Sequence, residues 1–194
     1  MVDNKIEKVS YKLVVSGGTS GKTSIIERFV NHQFIVNPVH TSGMKQFNII
    51  KNFPKFSNAE VTFNITDTSS EEKFNTLFKI LFKDQVLGVL VYDITNRASF
   101  EEMKKKYQLL IDANQQNILI CVCGNKSDLV DKQVVSDEEV REFTVQNCLQ
   151  FTKVSAKTGE GIEEMFINLG EKMLEKEMGE YPVEKDVFRK EIGI

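Results

Sequence analysis

Short apolar runs alternate with helical segments along this 194-residue chain. The runs Tyr11 to Ser16, Val86 to Asp93 and Ile118 to Gly124 are mostly apolar, which is typical of strands buried on both faces. A shorter run from Phe151 to Val154 predicts one more strand. Buried strands separated by helical segments indicate an α/β fold with a mainly parallel sheet.

Apolar residues at helical spacing occupy the segments between these strands. The spacing predicts helices over Lys22–Gln33 and Glu71–Phe82. A Ser-x-x-Glu pair beginning at Ser99 and another beginning at Ser136 predict two more helix starts. The last helix is predicted from an apolar stripe formed by Ile162, Met165, Phe166, Leu169 and Met173.

Two strands early in the chain are predicted to be antiparallel. Phe47 to Phe53 and Glu60 to Asp67 are separated by a short turn-rich stretch, which suits a hairpin. The other strands are expected to form a parallel sheet that is covered on both faces. In such sheets ligands bind outside the carboxyl ends of the strands, so polar residues at those ends are the candidate site.

Composition and charge narrow the class of protein. Apolar residues make up 41% of the chain and charged residues 27%, which is ordinary for a globular domain, and the net charge of −3 gives no reason to expect nucleic acid as a partner. The N-terminus lacks the apolar core of a signal peptide, and the longest apolar stretch, Val86 to Tyr92, is too short to span a bilayer. The three cysteines lack the spacing of a metal site. We therefore expect one soluble, intracellular domain.

The loop after the first strand carries the clearest chemical pattern. Residues 16–23 read Ser-Gly-Gly-Thr-Ser-Gly-Lys-Thr and match the phosphate-binding pattern G-x-x-x-x-G-K-[ST], except that Ser16 replaces the first glycine. Small residues let backbone N–H groups point at phosphate oxygens, and the following helix adds the positive end of its dipole. Lys22 is then expected to bridge the terminal phosphates and Thr23 to bind Mg²⁺ through its hydroxyl. The alternative is a glycine-rich turn with Lys22 on the surface.

Two further segments follow the last two strands. Asn125-Lys126-Ser127-Asp128 offers a carboxylate that can accept both N1–H and the exocyclic amine of guanine, a donor pair that adenine lacks. Ser155-Ala156-Lys157 can offer a backbone N–H to the guanine oxygen. Each segment alone is also compatible with a solvated turn. Together with the phosphate loop they predict a guanine-nucleotide site.

These segments, with Asp67-Thr68 after the third strand, resemble the motifs of Ras-superfamily small GTPases from about Tyr11 to Leu174. The run from Gly88 to Thr95, followed by Ser99-Phe100, is most similar to the Rab branch. The resemblance implies a P-loop NTPase G domain with a six-stranded, mostly parallel sheet, one antiparallel edge strand and about five helices on both faces. It also implies GTP or GDP with Mg²⁺ as ligands, and a switch function in vesicle trafficking.

The resemblance assigns roles to individual residues. Metal binding falls to Thr23, Thr41 and Asp67, and catalysis to Lys22 with Glu71. Phe34 stands where the family stacks an aromatic ring on guanine; a core residue at the helix end is the alternative. The other nucleotide contacts are expected from the three loops and Thr41, namely Gly17, Gly18, Thr19, Ser20, Gly21, Lys22, Thr23, Ser24, Asn125, Lys126, Asp128, Ser155, Ala156 and Lys157.

The segments that change conformation in the family depart from its pattern. Phe47 stands four residues after Gly43 rather than three, which implies a one-residue insertion. Ser70 replaces a glycine and has less backbone freedom, and Glu71 replaces the glutamine that orients the attacking water. A carboxylate cannot donate a hydrogen bond to the phosphoryl oxygens, and its charge opposes the γ-phosphate. We therefore expect slow hydrolysis that an arginine finger rescues poorly; the alternative is that both substitutions are tolerated, with Glu71 turned to solvent.

The end of the chain also departs from the family. Residues 1–178 are predicted as the GTPase domain and 179–194 as a C-terminal extension. No cysteine follows Cys148 to carry the prenyl group usual in Rab proteins, and from Glu171 onward 5 basic and 7 acidic residues do not make a polybasic anchor. We expect a cytoplasmic protein, peripheral on endomembranes when it associates with them. Exchange factors and effectors are expected to bind segments 34–47 and 67–82.

Two classes of function follow from these residues. The first is a guanine-nucleotide switch with weak GTPase activity, favoured by the Lys22-Thr23 pair and the base-reading segments. The second is a pseudo-GTPase that holds nucleotide as a structural ligand, as one lobe of a longer chain. The replacements at Ser16, Ser70 and Glu71 favour the second class.

Overall fold

The structure, a computed structural model, describes residues 8–36, 41–70, 80–114 and 118–179. Its strands are β1 (Lys8–Gly17), β2 (Met44–Phe53), β3 (Ala59–Thr68), β4 (Leu87–Asp93), β5 (Leu119–Asn125) and β6 (Gln150–Lys153). They form one six-stranded sheet in the order β2-β3-β1-β4-β5-β6. β2 is antiparallel to β3 at one edge, and the other neighbours are parallel. The predicted hairpin and the antiparallel edge strand are confirmed.

The described residues include four α-helices, α1 (Lys22–Asn31), α2 (Arg97–Asn114), α3 (Asp137–Gln146) and α4 (Ile162–Glu177). Two short 3₁₀ helices cover Pro54–Phe56 and Ser127–Lys132. The helix predicted over Glu71–Phe82 lies mostly outside the described residues, with Ile80 and Leu81 helical at its described end. Of the predicted extension 179–194, Gly179 alone is described. Within the described ranges, no helix has both the length and the apolar character needed to cross a bilayer.

Helices cover both faces of the sheet. Leu13 and Val15 of β1 pack with side chains of α1 and α4 in one hydrophobic cluster, whereas Val14 packs with side chains of α2 and α3 in another. All three are fully buried. On the first face, the rings of Phe29 and Phe166 stack with centroids 4.0 Å apart and join α1 to α4. Burial on both faces explains why the central strands are continuously apolar.

One predicted helix start is wrong and another is confirmed. α2 begins at Arg97, so Ser99 lies inside its first turn and is not the cap. Asn96 Oδ1 accepts the Ser99 N–H at 3.4 Å and takes the capping position instead. At α3 the Ser136 hydroxyl oxygen accepts the Glu139 N–H at 3.2 Å, as predicted from the sequence.

The cysteines lie in two different environments. Cys121 and Cys123 are buried in the same hydrophobic cluster and share one face of β5. Cys148 is exposed beyond the end of α3, which is at Gln146, and has a φ of 53°.

The parallel strands bring the candidate motifs to one edge of the sheet. The phosphate loop follows β1, and the two base-reading segments follow β5 and β6. Asp67 is beside Val15 in the β1–β3 register, so the end of β3 lies next to the phosphate loop. The carboxyl ends of parallel strands lie at the same edge, which is where this class of sheet binds ligands.

Candidate nucleotide-binding site

A cavity of about 480 Å³ opens at this edge of the sheet, within the size range of small-molecule sites. Most of the predicted nucleotide contacts line it together, namely Thr19, Ser20, Gly21, Lys22, Thr23, Ser24, Phe34, Thr41, Asn125, Lys126, Asp128, Ala156 and Lys157. Gly17, Gly18, Asp67 and Ser155 are buried and do not line it. Glu71, predicted as catalytic, lies outside the described residues.

The glycines of the phosphate loop have conformations that require them. Gly17 has a φ of 140° and Gly21 a φ of 84°, which other residues rarely adopt. A Cβ on Gly17 would lie 2.0 Å from the carbonyl oxygen of Val91 in β4. Ser16, in contrast, is a fully buried residue within β1 and is not among the residues with positive φ. Its replacement of glycine therefore carries little backbone cost.

Lys22 begins α1, and its side chain folds over the phosphate loop. Its Nζ donates to the carbonyl oxygen of Gly18 at 2.6 Å and to that of Gly17 at 3.2 Å. The residue is 7% exposed, which excludes the alternative of a surface lysine. Burial lowers the pKa of Lys22 to about 8, and the Asp67 carboxylate opposes this shift. The ammonium is thus held beside the backbone that would surround a phosphate.

Three oxygen-bearing side chains converge where β3 ends near α1. The Thr23 hydroxyl donates to Asp67 Oδ2 at 2.5 Å, and the Thr41 hydroxyl donates to the same oxygen at 3.2 Å. Asp67 Oδ1 is buried and has no hydrogen-bond partner among the described residues. Burial raises the pKa of the Asp67 carboxyl, so a cation would compensate its charge. Oxygen ligands of these types suit Mg²⁺, and the three residues fit the metal expected from the sequence.

Side-chain hydrogen bonds join the loops at the other end of the cavity. Asn125 Nδ2 donates to the Ser20 carbonyl oxygen at 2.8 Å, and Asn125 Oδ1 accepts the Ala156 N–H at 3.1 Å. The Ser155 hydroxyl donates to Asp128 Oδ1 at 2.6 Å. Asn125 therefore ties the phosphate loop to the segment after β6. The Ala156 N–H, one of the backbone donors of the segment that was expected to offer an N–H to the guanine oxygen, is bonded to protein.

Lys126 and Phe34 also line the cavity. Lys126 has a φ of 68°, and its Nζ is 2.5 Å from Asp93 Oδ2 at the end of β4. Phe34 is 37% exposed, so it is not the core residue of the alternative interpretation. An exposed ring on the cavity wall suits stacking on a flat ligand.

Arg28 stabilises the same end of the cavity through hydrogen bonds to the loop after β6. The sequence patterns did not predict this role. Its Nε donates to the Ala156 carbonyl oxygen at 3.0 Å, and its Nη2 donates to that of Lys157 at 2.7 Å. No local pattern marks this role. The available sequence signal is the position of Arg28 in the last turn of α1, where a cation can bind terminal carbonyls. Its Nη1 does donate to the His32 carbonyl oxygen at 3.2 Å.

The two segments that depart from the family pattern meet beside the phosphate loop. The Ser69 N–H donates to the Gly43 carbonyl oxygen at 2.8 Å, and the Thr19 hydroxyl donates to the Ser70 hydroxyl at 3.3 Å. β2 pairs with β3 in one unbroken register from Met44 to Phe53. The insertion predicted before Phe47 is therefore not accommodated as a bulge in this ladder.

A glycine-rich loop between a strand and a helix, with a buried lysine and an oxygen cluster beside it, defines a nucleotide-binding protein of the P-loop class. The sequence model of the Ras family matches residues 12–175, and the chain belongs to the Ras family. It is 32% identical to Ras-related protein RABF2a of Arabidopsis thaliana, over 94% of this chain and 90% of that protein. It is 32% identical to Ras-related protein Rab5 of Nicotiana tabacum over 89% and 86%, and 34% identical to Ras-related protein Rab-4A of Danio rerio over 89% and 80%.

The chain is thus a Rab-like small GTPase, and the family and fold predicted from the motifs are confirmed. Members of this family bind guanine nucleotide with Mg²⁺ and hydrolyse GTP. They work with exchange factors and effectors.

Proposed function

We propose that this protein is a magnesium-dependent guanine-nucleotide switch of vesicle trafficking whose intrinsic GTP hydrolysis is slow. The observation that carries the proposal is that one cavity has groups suited to phosphate with its metal ion and a group suited to guanine. Thr23 and Thr41 line it beside the Asp67 carboxylate, and Asp128 lines it at the base-reading loops. The Asn125 amide is hydrogen-bonded to Ser20 of the phosphate loop and to Ala156 of the segment after β6, and so joins the phosphate end of the cavity to the base end.

At the phosphate end, backbone N–H groups of residues 17–24 surround the phosphates, and Lys22 contributes its charge. To do so, the ammonium exchanges its bonds to the carbonyls of Gly17 and Gly18 for bonds to phosphate oxygens. Thr23, Thr41 and Asp67 would hold Mg²⁺, and the metal would supply positive charge beside the phosphate oxygens.

At the base end, the Asp128 carboxylate accepts the two donors on the guanine edge, and the Ser155 hydroxyl orients that carboxylate. Phe34 stacks on the ring, and the backbone of Ala156 and Lys157 faces the guanine oxygen. A site that offers an acceptor to a donor pair rejects adenine, because adenine would leave the carboxylate unpaired.

Hydrolysis is slow because the position next to the γ-phosphate has the wrong group for the reaction. Glu71 can accept a hydrogen bond from the attacking water but cannot donate one to the phosphoryl oxygens. Its negative charge also opposes the γ-phosphate, and this repulsion grows where water is excluded. Lys22 remains to stabilise charge on the phosphoryl group in the transition state.

Exchange factors and effectors bind segments 34–47 and 67–82, beside the cavity. In the described parts of these segments, Met44 is 47% exposed and Ile80 is 71% exposed. Met44 follows Gly43, whose carbonyl oxygen accepts the Ser69 N–H, and an exposed apolar side chain at this point suits a partner that distinguishes two nucleotide states. In this proposal residues 1–178 form the GTPase domain and 179–194 a C-terminal extension, and such partners bring the domain to endomembranes.

One contact favours the alternative of a pseudo-GTPase. The Thr19 and Ser70 hydroxyls are 3.3 Å apart, so the phosphate loop is linked to a residue that the family keeps as glycine. A Cβ and a hydrogen bond at this position both restrict movement of the backbone toward a γ-phosphate. In that case the protein would hold nucleotide without switching.

The experiment that separates the two functions is single-turnover hydrolysis of γ-labelled GTP, with protein in excess and Mg²⁺ present. Bound nucleotide is analysed at each time point. Conversion of bound GTP to bound GDP, at a rate above that of free GTP, supports the switch. GTP that stays bound and intact for hours supports the pseudo-GTPase, and failure to retain any guanine nucleotide contradicts both.

A further inference from the structure

We propose that Arg28 is a positioning residue that aligns the loop of residues 155–157 with the guanine oxygen, and so sets the preference for guanine. This inference rests on the proposed function of the cavity. Arg28 does not line the cavity itself, whereas Ala156 and Lys157 do. Its guanidinium binds the carbonyl oxygens of these two consecutive residues, at 3.0 and 2.7 Å.

The planarity of the peptide bond gives these two hydrogen bonds a directional effect. In a trans peptide the carbonyl and the N–H of the next residue point in opposite directions. When Arg28 holds the Ala156 carbonyl oxygen, the N–H of Lys157 is therefore turned away from the guanidinium. The Ala156 N–H is bonded to Asn125 Oδ1, so the Lys157 N–H becomes the donor that this loop directs at a base.

Packing around Arg28 supports its role in positioning the loop of residues 155–157. Gly159 has a φ of 91°, and a Cβ there would lie 3.6 Å from Arg28 Cδ, so the stem of the arginine packs against the turn that ends the loop. On its other side, the guanidinium carbon lies 6.0 Å from the centroid of the Phe34 ring. Arg28 thus contacts two parts of the base end, the loop after β6 and the aromatic ring.

Arg28 also links the base end to the phosphate end through α1. Lys22 begins this helix, and Arg28 follows six residues later, a rise of about 9 Å. A helix of this length is stiff over such a distance. The arginine therefore fixes the base-reading loop relative to the lysine that would contact phosphate.

The two hydrogen bonds need the planar fork of arginine. A guanidinium donates from Nε and Nη2 in one plane to two neighbouring carbonyls, whereas a lysine ammonium is a single point charge on a flexible stem. Arg28→Lys keeps the positive charge but cannot form the hydrogen bonds to both carbonyl oxygens at the same time. Charge and geometry can therefore be tested separately.

The test compares GDP with the diphosphate of 2-aminopurine riboside, which lacks the guanine oxygen and the N1 proton, so the effect of Arg28 is read from the change that each variant makes relative to the unmodified protein. Dissociation rates of both nucleotides are measured with Mg²⁺ for the unmodified protein and for Arg28→Ala and Arg28→Lys. Arg97→Ala is the matched control, since Arg97 also forms a bidentate pair, with Glu139 at 2.5 Å, but joins α2 to α3. Thermal unfolding of each nucleotide-free variant measures any loss of fold.

For Arg28→Ala, we expect GDP to dissociate about tenfold faster, the equivalent of one lost hydrogen bond, with the 2-aminopurine analogue changed by less than about threefold. Arg28→Lys should lie nearer to Arg28→Ala than to the unmodified protein, and Arg97→Ala should leave both rates unchanged. Equal acceleration of both nucleotides would make Arg28 merely structural, and full rescue by lysine would contradict the geometric argument. If the unmodified protein itself does not prefer GDP to the analogue, the proposed function of the base end fails instead.

Discussion

The two ends of the nucleotide cavity are held in different ways. At the base end, protein groups bond to one another, through the Asn125 amide, the Ser155 hydroxyl and the Arg28 guanidinium. At the phosphate end, a buried ammonium on Lys22 lies near a buried carboxylate on Asp67, and the charge of each affects the pKa of the other. The base end is preorganised by neutral and charged hydrogen bonds, whereas the phosphate end is a set of charges that a nucleotide with its cation would complement.

This difference has a consequence for substitutions. A change at the preorganised end leaves a bonded group without its partner, and this alters which base is accepted. A change at the charged end weakens attraction to phosphate of any nucleotide. Ser70, which departs from the family pattern, lies at the phosphate end beside Thr19, while the base-reading segments match the family.

Asp128→Asn should produce the largest effect, because it places a donor opposite the donors of guanine. The amide retains one oxygen for the Ser155 hydroxyl, so the loop should stay in place. We expect the preference for GTP over xanthosine triphosphate to fall by about 10³-fold. Competition binding with both nucleotides measures this preference. The control is Asp131→Asn in the same 3₁₀ helix, at an exposed position, and unchanged selectivity in Asp128→Asn would remove Asp128 from base recognition.

Lys22→Met should weaken GDP and GTP alike, by about a hundredfold, because two charge-assisted hydrogen bonds to phosphate are lost. Methionine fills a similar volume without a buried charge, so the nucleotide-free protein should unfold at the same temperature or higher. Equilibrium binding and thermal unfolding measure the two effects. Lys12→Met, at an exposed position of β1, is the control. Equal affinity in Lys22→Met and the unmodified protein would show that Lys22 does not contact nucleotide.

The sequence predicts best what depends on local pattern. Continuous apolar runs predicted the buried strands, and the positive φ of Gly21 follows from a loop pattern that requires glycine at that position. Asn96 and Arg28 were missed because their roles depend on partners that the local pattern does not reveal. Asn96 caps α2 although Ser99 has the better capping pattern, and Arg28 donates to carbonyls more than 120 residues away along the chain.

The sequence predicted which residues form much of the candidate site, but not the hydrogen bonds between them. The motifs identified most of the residues that line the cavity, because each motif has a chemical reason for its spacing, but they did not identify Ile35, Val36 or Leu129. They could not show that the amide of Asn125 bonds to protein at both of its polar atoms, since this depends on the distance between two loops. The role of Glu71 remains a prediction, because that residue lies outside the described ranges.

Glu71→Gln should have a smaller effect, on rate rather than on affinity. If Glu71 acts as proposed, the substitution removes a negative charge that opposes the γ-phosphate and supplies a group that both accepts and donates hydrogen bonds. We expect single-turnover hydrolysis to become about tenfold faster, which corresponds to about 1.4 kcal/mol in the barrier. Glu72→Gln is the neighbouring control for charge alone. An unchanged rate in Glu71→Gln would support the alternative in which Glu71 is turned to solvent.

Lys45→Met should have the smallest effect, because it removes an exposed cation from the phosphate side of the molecule. The Lys45 ammonium is 2.8 Å from Glu27 Oε1, with side-chain exposures of 53% and 10%, and so ties β2 to α1. The hydrogen bond from Lys45 lowers the pKa of the Glu27 carboxyl. A depressed carboxyl pKa adds stability above the unfolded value of about 4.5, and this stability is lost as the pH falls through the folded pKa.

The loss of unfolding free energy in Lys45→Met should therefore be about 0.5–1 kcal/mol at pH 7, after allowance for solvent screening, and smaller at pH 3. A small difference should persist at pH 3, because the ammonium also lies 4.3 Å from the centroid of the Phe47 ring. Urea unfolding at both pH values measures the effect, with Lys8→Met as control, since Lys8 is 77% exposed in its pair with Glu60. A loss that is equal at the two pH values would show that the contact with Glu27 is not ionic. GDP affinity should stay within about twofold, because neither member of this pair lines the cavity.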